Sequence, residues 1–172
     1  MTDRLMIASV TAAMTTLLKA RLSQADPNAA GGAAIVTAGL PDLVAQEGSG
    51  GGRLNVFMYH VTANDALHGH PPPRPGGAAA PRPLAVSLHY LITAYAEQDL
   101  DAETLLETAM LACHENPIVA PDAASGGAAN RERMVITLEP LTLDQMSALW
   151  RAFRIAYRPS LAYRVSPVFI GS

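Results

Sequence analysis

A single cysteine, Cys113, stands in a chain of 172 residues. That excludes an internal disulfide framework and suits a reducing compartment. Charge is also scarce, with Asp, Glu, Lys and Arg at 16% of the chain against about 25% in an ordinary globular domain. A surface this poor in charge points to contact with other protein. The formal net charge is −3 and no basic run occurs, so a phosphate-neutralising nucleic-acid face is not expected. No stretch approaches the roughly 18 uninterrupted apolar residues of a membrane span. The opening MTDRLMIASVTAAMTTLLKA does not have the pattern of a signal peptide. Asp3 lies in its charged part, Thr11, Thr15 and Thr16 break its apolar part, and no small-x-small cleavage site follows. These features predict a protein made and used without Sec export. No internal repeat is present.

The length fits one domain spanning 1–172 with one sizeable core, and hydrophobic residues at 49% supply the material for it. Residues 3 to 24 read as an amphipathic helix, with Met6, Val10, Ala13, Met14, Leu17, Leu18 and Arg21 at helical spacing and Thr2 or Asp3 as cap. Asp26-Pro27-Asn28 ends it. Ala34–Thr37 is a short strand closed by Gly39-Leu40-Pro41. Leu54–Thr62 is a strand apolar on both faces, as in a central strand, with Leu54, Val56, Met58 and His60 pointing one way. Leu84–Ala96 is a longer strand, paired antiparallel with it. Asp101–Glu115 is a second helix with Asp101 as cap and Ala102, Leu105, Leu106, Ala109 and Cys113 inward; Asn116-Pro117 stops it.

Met134–Glu139 is a further strand, closed by Pro140. Thr142 and Gln145 then stand at capping-box spacing. The third helix runs to about residue 155 with Leu143, Met146, Leu149, Trp150 and Phe153 inward, and Pro159 breaks it. Gly- and Pro-rich loops fall at about 46–53, 64–83 and 121–133. The order α-β-β-β-α-β-α-β predicts an α+β fold, a mainly antiparallel sheet of about four to five strands packed with about three helices.

Catalytic patterns are weak. His68-x-His70 could share an ion but lacks a third ligand and sits in a loop. His60 and His89 fall on neighbouring strands, where satisfied sheet histidines are commoner than ligands. Cys113 and His114 are adjacent on a helix and so diverge by about 100°. The Ser49–Gly52 and Ser125–Gly127 runs lack the GxxxxGK[ST] order, and no G-x-S-x-G elbow occurs. No enzyme, cofactor or metal is expected.

The chain closes on YRPSLAYRVSPVFI, residues 157–170, too apolar to fray in water. Either it completes its own sheet or it meets a partner. Arg158 and Arg164 then serve interfacial or intramolecular pairs, and Tyr157 and Tyr163 serve the core or an interface.

Three blocks carry a family resemblance: LNVFMYHVTAN at 54–64, PLAVSLHYLITAYA at 83–96, and ITLEPLTLDQMSALWRAF with YRPSLAYRVSPVFI across 136–170. Together they resemble the tail-terminator, or cap, proteins of contractile injection systems. The resemblance implies a structural protein that forms a ring, by family analogy a hexamer, on the distal end of the inner tube. Such a ring stops tube growth and anchors the last sheath layer. The implied partners are its own copies, the tube protein and the sheath protein, in a particle assembled in the cytoplasm and released or retained. Some members continue past the final strand, and the capping role of this sequence is expected to rest on the core domain and its loops. Asn64, Tyr157, Arg158, Pro159, Tyr163 and Arg164, the polar and aromatic members of the matched blocks, are expected in subunit, tube or sheath contacts. The alternative is a non-enzymatic adaptor or assembly chaperone docking through the Pro-rich loop.

Overall fold

The computed structural model describes residues 6–25, 34–46, 51–64, 84–119 and 133–170. In chain order these form α1 (Met6–Leu22), β1 (Ile35–Thr37), α2 (Pro41–Gln46), β2 (Arg53–Ala63), β3 (Leu84–Tyr95), α3 (Asp99–Glu115), β4 (Ile118–Val119), β5 (Met134–Leu138), α4 (Leu143–Phe153) and β6 (Ser160–Ile170). The six strands make one sheet in the order β1-β2-β3-β6-β5-β4. Only the short β1–β2 pair is parallel; the other described pairs are antiparallel.

β3 is the spine of this sheet, buried from Ala85 through Tyr95. A strand alternates its side chains, so burial on both faces needs a cover on each. On one face Val86, Leu88, Tyr90, Ile92 and Ala94 meet α1 and α3, which bring Val10, Met14, Leu18, Leu105, Ala109 and Cys113. Leu88, Ile92 and Leu105 are fully buried, each contributing about 1.5–3 kcal/mol relative to exposure. On the other face Leu91 packs with Ala162 of β6 and with Met146 and Trp150 of α4. The result is three layers, with α1 and α3 on one side of the sheet and α4 on the other.

The terminal segment completes its own sheet. β6 pairs along one edge with β3, from Ile170 opposite Leu84 to Ser160 opposite Thr93, and along the other edge with β5. A bulge where Val86 and Leu88 face Val168 and Val165 lets both valines enter the core.

Several local expectations are corrected. The final strand begins at Ser160, so Tyr157, Arg158 and Pro159 of the closing segment lie ahead of it. β2 is the second strand from the edge rather than a central one. A bulge between Met58 and His60 shifts its register, so His60 stands opposite His89 instead of following Leu54, Val56 and Met58. α2 begins at Pro41, where a strand closure alone was expected; proline is tolerated in a helix's first turn, where its missing N–H costs nothing. β4 adds a two-residue edge strand. Both additions are too short to show a period. Asp101 lies inside the first turn of α3, and Gln98 occupies the cap position. Leu143 is 70% exposed because it is the first residue of α4, ahead of the buried Met146. That helix ends earlier than Pro159 would end it, at Arg154 with φ 59°, a left-handed stop whose N–H donates to the Arg151 carbonyl. The expected caps Thr2 and Asp3, and most of the three loops, lie outside the described residues.

The capping box of α4 is formed as read. Gln145 N–H donates to Thr142 Oγ1 at 3.2 Å, and Thr142 N–H donates to Gln145 Oε1 at 2.9 Å. Thr142→Ala is expected to lower the stability of the domain by about 1 kcal/mol, measured as a shift in the urea midpoint at unchanged slope.

Candidate contact surface

The six expected contact residues do not form one cluster, because β6 spreads them along its length. Tyr157, Arg158 and Pro159 form the exposed lead into β6. Asn64 follows β2 and meets the far half of β6. The six-residue path from Ser160 to Ser166 separates the two groups by about 20 Å.

Tyr95 organises the near group. Its hydroxyl donates to the Pro41 carbonyl at 3.2 Å, and the Arg158 guanidinium lies 4.9 Å from its ring centroid. One buried ring therefore ties α2 to the lead into β6. A cation over an aromatic face at such a site is worth about 0.5–1 kcal/mol. Tyr157 stacks edge-on to Trp150, with centroids 6.3 Å apart, and stays 48% exposed. Leu40, just ahead of the neighbouring α2, and Leu43 within it are also half exposed. Sequence reasoning missed these two, since nothing in PDLVAQ marked a helix.

The far group is a polar seam on the α4 side of the sheet, beyond the reach of that helix. Asn64 Nδ2 donates to Ser166 Oγ at 2.9 Å, and the Ser87 hydroxyl donates to the same oxygen at 2.9 Å. Beside them His89 is held at both ring nitrogens. Its Nδ1 meets Glu139 Oε2 at 2.8 Å, and its Nε2 meets Thr62 Oγ1 at 2.9 Å. The Tyr59 hydroxyl donates to the same Glu139 oxygen at 3.1 Å. In the neutral ring Nδ1–H donates to the carboxylate and Nε2 accepts from the threonine hydroxyl.

This hydroxyl–imidazole–carboxylate order is that of a nucleophile with an oriented base. Here it also satisfies a nine-tenths buried imidazole between two strands and the Glu139 turn. His60 faces His89 with ring centroids 5.5 Å apart, as neighbouring strands allowed. Burial, then the nearby Glu139 charge and hydrogen bond, raise the Tyr59 hydroxyl above its usual range. Arg164 lies opposite His89 and Thr137, exposed. The chain of bonds was not legible in the sequence, because it joins β2, β3 and Glu139, which follows β5 rather than ending it as expected, across segments 27 to 80 residues apart.

Tyr163 stands apart from the other five. It is 5% exposed, on the α1–α3 side of the sheet, hydrogen-bonded to Cys113. Its side chain is taken by the core. A cavity of about 380 Å³ on that same side lies between α1 and β4, lined by residues that include Ser9, Ala13, Leu17, Asn116 and Ile118. The His68–His70 pair and the 125–127 run lie outside the described residues. No described helix is long and apolar enough to cross a membrane.

Among the solved structures that share this fold are two terminators. One is the PVC sheath/tube terminator of an extracellular contractile injection system in its extended state, with a TM-score of 0.64 at 20% identity over 96% of this chain and 57% of that one. The other is the tube-terminating cap of the anti-feeding prophage, with a TM-score of 0.63 at 20% identity over 95% of this chain and 55% of that one. The chain thus has a terminator fold and spans little more than half the length of either structure. Residues 9–172 match the Pvc16 N-terminal domain, and the chain belongs to that family. No match was found among curated proteins.

Cys113 supplies a test of the core beneath this surface. Burial pushes its thiol up to about 11, against a smaller downward pull from the Tyr163 hydrogen bond. Burial and the adjoining Cys113 push Tyr163 up to about 12. Both shifts favour the neutral form in the folded chain. The unfolded chain therefore loses these protons first as pH rises, and the stability they contribute is full below about pH 8.5. It is expected to fall progressively up to about pH 12, read as a declining urea midpoint, and Cys113→Ala should remove the first part of that decline. In the folded protein at pH 8, Cys113 should stay unreactive to a disulfide reagent and react on denaturation.

Proposed function

We propose that this chain is the ring-forming domain of a tube terminator in a contractile injection system. It caps the distal end of the inner tube, stops its growth and anchors the last layer of sheath. The observation that carries this reading is the terminator fold along nearly the whole chain, together with family membership across residues 9–172. The physical features agree with it. A cap does its work by holding surfaces in place, and this domain has a sheet buried from both sides whose polar groups bond to one another rather than converge on a cleft.

The ring is a hexamer of this chain, its partners are the tube and sheath proteins, and no turnover of a substrate is involved. Assembly takes place in the cytoplasm, and the particle it completes works outside the cell, as an extracellular system does. Contacts fall to the members of the expected set that reach the surface: exposed Tyr157, Arg158 and Pro159 at one end of β6, and exposed Arg164 with half-buried Asn64 along the other half. The adaptor alternative rests on the Pro-rich loop, and residues 65–83 lie outside the described residues.

Cryo-electron microscopy of particles containing this protein is expected to show a sixfold ring of it at the end opposite the baseplate. Particles lacking it should carry tubes of uncontrolled length. A protein found elsewhere on the particle, or free, with tube length unchanged on its removal, would overturn the proposal.

A further inference from the structure

Charge in this chain is scarce, yet it is sorted by layer. From Glu97 through Val119 every charged side chain is acidic: Glu97, Asp99, Asp101, Glu103, Glu107 and Glu115, with no Lys or Arg. All but Asp101 are exposed, on α3 and its lead-in. From Gln145 through Ile170 the reverse holds. Arg151, Arg154, Arg158 and Arg164 are exposed, with no Asp or Glu. α3 and α4 cover opposite faces of the sheet, so the two signs face away from each other.

Groups of the other sign on each side are few. On the α4 side, Glu139 is bonded to Tyr59 and His89. Asp42 sits near Tyr95 together with Arg53, and Asp144 lies in the first turn of α4. On the α3 side, α1 brings Lys19 and Arg21, and Arg21 is spent on Glu115 at 2.9 Å. Each side also exposes apolar side chains beside its charges. Leu100 is 74% exposed and Met110 41% exposed on α3, while Leu143 is 70% and Tyr157 48% exposed on the α4 side.

We infer that copies of this chain meet head to tail, the arginine-bearing α4 side of one copy against the acidic outer side of α3 of the next. The inference rests on the ring reading and gives it a specific contact. A closed ring needs two different, complementary surfaces on roughly opposite sides of each copy. A sheet flanked by one acidic and one basic helix presents such a pair. Apolar side chains would form the centre of the contact and the charges its rim, where they set orientation and reject a back-to-back pairing of like faces. At physiological salt the charges act over only about 8 Å, so they select the mate at contact rather than steer it from afar.

The test is charge exchange in the full chain. Arg151→Glu with Arg154→Glu forms one variant, Glu103→Arg with Glu107→Arg a second, and all four changes together a third. Self-association is measured by sedimentation, and ring formation by cryo-electron microscopy on purified tubes. Each double variant is expected to weaken association by about tenfold or more, and the four-fold variant to recover to within about threefold of the original. Melting temperatures establish that each variant folds; where one does not, the Gln versions at the same positions replace it and are expected to weaken association in the same direction. Double variants that assemble as well as the original chain, or a folded four-fold variant that stays as weak as they are, would overturn the inference while the ring reading stands. An original chain that forms no ring in solution or on tubes would overturn both.

Discussion

The pairing of β6 with β3 is the constraint on which the rest of this domain depends. β3 is buried along nearly its whole length, so its peptide groups need partners from other strands. β2 supplies one edge and β6 the other. Remove β6 and β3 loses half its ladder, β5 and β4 lose their link to the sheet, and Val165 and Val168 leave the core that α1 and α3 share. β6 thus sits between β3, two helices back along the chain, and β5, one helix back. That position answers why so apolar a terminal segment does not fray.

From that ladder follows the difference between the two sides of the sheet. Among the described residues the α1–α3 side is mainly apolar, with the Thr11–Tyr90 bond at 2.9 Å and the Cys113–Tyr163 pair as polar contacts within it. The α4 side is covered only partly, since an eleven-residue helix cannot span the width of six strands. What it leaves is filled by side chains that satisfy one another: Glu139 with Tyr59 and His89, Ser166 with Asn64 and Ser87. Trp150 marks the boundary. Its ring is buried and packs against Phe153 and Tyr157, yet its Nε1 finds no hydrogen-bond partner among the described residues. An unmet buried donor costs about 1–3 kcal/mol, which the area of so large a ring offsets.

Much of this was legible from the residues. The alternation in Leu84–Tyr95, the helical spacing of Val10, Met14 and Leu18, and the Thr142–Gln145 capping box each reflect a local rule with one outcome, and each appears where expected. What escaped depends on neighbours. The bulge at Tyr59 turns His60 toward His89, and no single strand carries a sign of it, because a bulge is a mismatch between two strands. α2 and β4 are too short for periodicity. Of the surface residues, Tyr163 has a period-two place pointing into the core, and the motif that drew attention to it says nothing about direction. The exposed Arg158 is held by Tyr95, whose link to Pro41 is a contact between segments 54 residues apart, and Tyr157 by Trp150.

Native-state amide hydrogen exchange along β6 tests this account of the fold most directly. If β6 is the inner strand that holds the sheet together, amides of residues 161–165 exchange only on global unfolding, as slowly as those of residues 88–92 in β3. Protection across 161–165 that is far weaker than in β3, typical of a fraying terminus, would contradict it. The sheet would then be held from its β2–β3 half alone.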